Sequence, residues 1–243
     1  MSDLIGAEWL KLRTTRLLLG TVPAALALSL AAVAGMVVSS HGGELETAEG
    51  VRRVFSVAGA GAIVMLVVGI LMAAGEYRHD TAAGTFLTTP RRDRVVSAKL
   101  TVAAGVGAAV GVVTAAACIA AAAVIYRSES ATLTITDRDV WLIVPATAAY
   151  TALFAVLGVA IGALVRNQVA AVAGALAWLA IVEHTLVNLA PSIGRWLPVG
   201  AGQAIVRTPL DGLLPPLAGV AVLAGYAVVV AAVGIRAERR RDA

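Results

Sequence analysis

Six stretches of this 243-residue chain hold no lysine or arginine and little else that is polar: residues 17–38, 54–75, 100–126, 141–165, 169–190 and 217–235. A bilayer core about 30 Å thick is crossed by a helix of about 20 apolar residues, each rising about 1.5 Å. All six stretches reach that length, and they are apolar on every face. Strands of membrane barrels are shorter, about 10 residues, and alternate in polarity. The expectation is an all-α integral membrane protein with six transmembrane helices. Composition agrees: 59% of the residues are hydrophobic and 14% charged, against about 45–50% and about 25% in soluble domains. Disorder, a collagen-like fiber and a disulfide scaffold are excluded, and a soluble enzyme fits poorly. The single cysteine, Cys118, forbids an intramolecular disulfide, and no Cys/His cluster suggests a metal site.

The first run is too long for the h-region of a cleaved signal, about 7–15 residues, so it reads as a retained helix. Before it, residues 2–16 read as an amphipathic helix. Ile5, Trp9, Leu12 and the stem of Arg16 fall on one face at 3.6 residues per turn, with Glu8 and Arg13 flanking it. Tryptophan and basic residues suit a helix lying in the membrane interface; the alternative is a simple extension of the first span. Thirteen lysines and arginines lie on the side of the two termini and six on the other. The positive-inside rule therefore places both termini in the cytoplasm. The first two outer segments, 39–53 and 127–140, read as short polar loops. The third, 191–216, alternates apolar residues with Pro and Gly, which suits either a re-entrant helix or one lying on the headgroups.

Residues 76–94 form the most informative loop. Pro90 breaks any helix, and Asp80 or Thr81 can cap a short one running to about Leu87. Phe86 and Leu87 are then apolar side chains with no membrane duty, a common mark of a docking surface. A basic loop that only sets topology is the plainer alternative. Within the fifth run, Glu183 is the one acidic residue inside a span, next to His184 and one turn before Asn188. Ionizable groups at that depth usually face a cavity or a partner. These three are candidates for a substrate path; local hydrogen bonding in a wet outer segment is the other reading. Gly107 with Gly111, and Gly158 with Gly162, are GxxxG pairs that permit close helix contact.

What the chain lacks also matters. Neither lysine, Lys11 or Lys99, follows a glycine, so no GxxxxGK[ST] phosphate loop exists. No serine elbow, HExxH motif or paired carboxylates beside a nucleophile appear, and no catalytic residue is expected. The two halves show no repeat of the kind found in secondary transporters.

The segments Glu8-Trp9-Leu10-Lys11-Leu12-Arg13-Thr14-Thr15-Arg16, Gly75-Glu76-Tyr77-Arg78-His79-Asp80-Thr81, Thr85-Phe86-Leu87-Thr88-Thr89-Pro90-Arg91-Arg92, and Leu197-Pro198 with Gly202-Gln203-Ala204 give the chain its likeness. It resembles the six-helix permease subunits of ABC-2 type exporters, especially the short actinobacterial kind. Asp80 stands where that family usually has Gly. The resemblance implies an opening helix along the membrane and a coupling loop, 76–94, that docks on a separate ATPase. By that resemblance Glu76, Tyr77, Arg78, Thr81, Gly84, Thr85, Phe86, Leu87 and Thr88 form the coupling interface. It further implies a transporter of two permeases, expected as a homodimer, and two ATP-binding subunits that carry ATP and magnesium. This chain itself needs no cofactor, and its place is the bacterial plasma membrane. An ATP-independent secondary transporter and a non-transporting interaction or immunity protein are the competing readings.

Overall fold

The computed structural model describes residues 2–40, 45, 47–78, 92–128, 138–165 and 167–240. Among them every regular element is helical: α1 (Ser2–Thr14), α2 (Leu17–Ser39), α3 (Ala48–Ser56), α4 (Ala62–Arg78), α5 (Arg92–Ser128), α6 (Arg138–Val165), α7 (Gln168–Ala177), α8 (His184–Leu189), α9 (Pro191–Gly194), α10 (Pro198–Ile205) and α11 (Pro216–Arg240). A tight 3-10 stretch, Val57–Gly61, joins α3 to α4, and a wide π-helical stretch, Trp178–Glu183, joins α7 to α8. Six segments among the described residues are long and apolar enough to cross a membrane: Leu17–Ser39, Ala48–Glu76, Arg94–Arg127, Val140–Val165, Gln168–Leu189 and Pro216–Arg236. The protein is an all-α membrane protein, as its apolar runs imply.

α6 is the hub, packed against α4, α5 and α11. In lipid, apolar surface does not drive helices together; close backbone approach and hydrogen bonds do. Both glycine pairs serve that approach. A Cβ on Gly107 would come within 2.7 Å of the Ala152 Cα, and one on Gly111 within 2.6 Å of the Ala148 Cα. On the other face of α6, a Cβ on Gly158 would collide with the Leu66 carbonyl oxygen of α4. Thr151 Oγ1 also donates to the Gly107 carbonyl at 2.8 Å, tying α6 to α5.

The helices depart from the apolar runs in two places. The polar stretch 39–53 is not all loop: α3 begins at Ala48, where the Thr47 hydroxyl accepts from Gly50 N at 3.0 Å. Val51, Val54 and Phe55 turn inward while Arg52 and Arg53 point out, so charges that looked like loop residues sit on an amphipathic helix. The segment 191–216 also contains structure. α9 and α10 each start with Pro at the first helical position, where its missing N–H costs nothing. α10 buries Ala201, Gly202, Ala204 and Ile205. Gly202 lies against the Tyr150 ring of α6, and a Cβ on Gly219 of α11 would come within 2.6 Å of the Ala201 oxygen. α10 is thus held by protein on two sides.

Candidate functional site

α1 and α2 are separate helices. Arg16, between them, adopts a left-handed backbone with φ 53°, an uncommon conformation for a residue with a side chain. It turns the chain so that α1 packs on α2 and α5. Its inward face is Ile5, Glu8 and Leu12, spaced three and four apart. Trp9, expected beside Ile5 and Leu12, is 44% exposed.

The placement of Glu8 on that inner face creates a charged cluster inside the bundle. Lys99, near the start of α5, is buried; its Nζ donates to Glu8 Oε2 and to Glu76 Oε1, both at 2.7 Å, and to the Met72 carbonyl at 3.4 Å. Lys11 Nζ donates to Glu8 Oε1 and Glu76 Oε1, both at 2.8 Å. Two carboxylates and two ammonium groups thus form one formally neutral cluster. It joins α1, the end of α4 and the start of α5. Burial works against the Lys11 charge, yet the hydrogen bonds and charges of Glu76 and Glu8 outweigh it and raise its pKa above the ordinary value. Removing one partner of a buried pair strands the other charge, at a cost of about 3–5 kcal/mol.

The sequence alone assigned Lys11, Lys99 and Glu8 no role as partners of one another. The signal for Glu8 was present: it falls between Ile5 and Leu12 on the helical repeat. Nothing local indicates that its partner lies 91 residues away.

Among the expected coupling residues, Glu76 belongs to this cluster, and Tyr77 and Arg78 end α4. Thr81, Gly84, Thr85, Phe86, Leu87 and Thr88 lie outside the described residues. What is described is their anchorage, since α4 and α5 flank the segment on either side.

The second polar feature lies on the fifth span. The π-helical stretch ends at Glu183, which is completely buried. Its Oε1 accepts from Trp178 Nε1 at 2.8 Å and its Oε2 from Val199 N at 2.7 Å. Pro198 opens α10 without an N–H, and Leu197 before it offers no side-chain cap. Glu183 therefore caps α10 from another helix, with a negative group at the positive end of the peptide dipoles. His184 and Asn188 do not join it. Both are exposed, and the Asn188 amide donates to the His184 carbonyl at 2.7 Å within its own helix. Among the described residues no group of His, Cys, Asp and Glu could hold a metal ion.

No curated protein matches the chain. The sequence profile of one family, described as ABC-2 family transporter protein, matches residues 4–183. That range takes in α1, the helices that share the charge cluster, the segment between α4 and α5, and the fifth span as far as Glu183. The match covers about three quarters of the chain, and with six apolar spans and an all-helical fold it places this multi-pass membrane protein in the ABC-2 family of transporter proteins, as a permease.

Proposed function

We propose that this chain is the permease subunit of an ABC-2 exporter, which forms the substrate path and is driven by a separate ATP-binding subunit. The observation that carries this reading is the four-charge cluster. It fastens α1 to the two helices that bracket the segment 79–91, so a push on that segment would reach the rest of the bundle through α4, α5 and α1 together.

In this reading the stretch from Glu76 to Arg94 lies in the cytoplasm with both termini, in keeping with the excess of basic residues on that side. Phe86 and Leu87 supply the apolar contact with the ATP-binding subunit, with Tyr77, Arg78, Thr81, Gly84, Thr85 and Thr88 around them. ATP and magnesium belong to that partner. Two copies of the permease, each in the bacterial plasma membrane, complete the path. The fifth span leaves His184 and Asn188 exposed, and polar groups at that depth favor a partner or a wet path over lipid.

Co-purification tests the reading. Burying a Phe side chain is worth about 1.5–3 kcal/mol, so Phe86→Ala should weaken capture of the ATP-binding subunit about 10- to 100-fold. A correctly inserted Phe86→Ala protein that captures as much as the parent would overturn the docking assignment.

A further inference from the structure

A cavity of about 500 Å³ opens beside the charge cluster, between α1, the start of α2, the end of α4 and the start of α7. Leu17, Glu76 and Gln168 on its wall are terminal residues of three candidate spans. The cavity therefore lies at one membrane boundary, and its volume is typical of a small-molecule site. The described residues that line it include two chemically distinct groups. Leu12, Leu17, Leu71 and Met72 make an apolar wall, while Glu8, Lys11 and Glu76 make a charged rim. An occupant must match both, so it is an amphiphile.

The rim also selects the sign of the headgroup. Glu8 has both oxygens engaged by lysines, and Glu76 Oε1 accepts from two of them. A cationic headgroup would have to displace Lys11 or Lys99. Lys11 differs: its side chain is 44% exposed, and its ammonium has three N–H groups, of which Glu8 and Glu76 take two. The remaining N–H serves an anion.

We propose that this cavity binds an anionic phospholipid of the adjoining leaflet, with its headgroup at Lys11 and one acyl chain against Leu12, Leu17, Leu71 and Met72. The site does not depend on the export reading, and binding can be measured on the permease alone.

Gly75 provides a clean way to close it. It lines the cavity, and a Cβ there would meet no atom of a neighboring element within 4 Å. Gly75→Phe should fill the space without disturbing the helix packing, and Gly75→Ala should leave room. The experiment is native mass spectrometry of the detergent-purified chain, with phosphatidylglycerol, phosphatidylcholine or glycerol phosphate added in turn. Phosphatidylglycerol should be retained over phosphatidylcholine, and glycerol phosphate, which has no chains, should not be retained. Lys11→Gln and Gly75→Phe should each reduce phosphatidylglycerol retention by about tenfold or more, the effect of losing one charge-assisted contact or the chain's seat. Lys11→Arg and Gly75→Ala should retain it. Equal retention of the two lipids, binding of glycerol phosphate alone, or unchanged retention in a folded Gly75→Phe protein would each overturn the site.

Discussion

Glu8 and Glu183 are both hidden from solvent, yet the protein satisfies them by different means. Glu8 meets two ammonium groups, Lys11 and Lys99, and shares them with Glu76. Glu183 meets no cation among its hydrogen-bond partners, only the indole N–H of Trp178 and the backbone N–H of Val199. The first arrangement balances charge among three helices. The second uses direction, holding the start of one short helix against a wide turn of another. A charge cluster responds to the loss of any member. A cap responds mainly to the loss of acceptor geometry.

The largest expected effect comes from breaking the charge balance. Lys99→Ala removes one of the two ammonium groups set between Glu8 and Glu76 and should destabilize the bundle by about 3–5 kcal/mol, seen as a lower midpoint of thermal unfolding in detergent. Adding Glu8→Gln to Lys99→Ala should recover much of the loss, because the stranded charge is gone. If the double variant is as unstable as the single one, charge balance is not what the cluster provides.

Glu183 should behave otherwise. Glu183→Leu strands two N–H donors, each costing about 1–3 kcal/mol when buried and unpaired. Glu183→Gln, which keeps an oxygen acceptor and the shape, should cost clearly less. Cysteine placed at Ala201, buried on α10, reports the same event. It should react slowly with a maleimide in the parent, faster with Glu183→Leu, and at an intermediate rate with Glu183→Gln. The native Cys118 is buried and adds little background. Equal rates in all three would remove Glu183 as the cap.

The smallest effect is one of pH. The Lys11 pKa is raised above its ordinary value of 10.5, so the folded state holds this proton more tightly than the unfolded state. Its contribution is complete below about pH 10.5 and is lost as pH rises through the folded value. The half-exposed position keeps the effect small. The parent should lose thermal stability above that pH more steeply than Lys11→Gln; identical slopes would show that Lys11 is not coupled to the cluster.

The spans were the most legible part of the sequence because length and apolarity alone define them. The glycine pairs were legible only as spacing. An alanine-rich chain produces such pairs by chance, and what distinguishes these two is the helix opposite, where Ala148, Ala152 and Leu66 leave no room for a Cβ. α3 was obscured by its own charges: Glu49, Arg52 and Arg53 suggest a loop until Val51, Val54 and Phe55 are seen on one face. The depth of Glu183 in the fifth run was visible, but its partners were not, because a backbone N–H sixteen residues away carries no sequence signature beyond the proline before it. The cluster of Glu8, Lys11, Glu76 and Lys99 was hidden for the same reason of distance, although Glu76 and Lys99 border apolar runs and Glu8 lies on the inner face of α1.

The central claim is that this cluster transmits between the permease and an ATP-binding partner. ATP turnover by the reconstituted complex tests it most directly, comparing the parent with a Glu8→Gln/Lys99→Met protein that keeps the cluster's neutrality and much of its volume. The account predicts no turnover by the permease alone, turnover when the partner is bound, and retained partner binding but much reduced permease-stimulated turnover in the double variant. Turnover by the permease alone, or unaltered stimulation by the double variant, would contradict it.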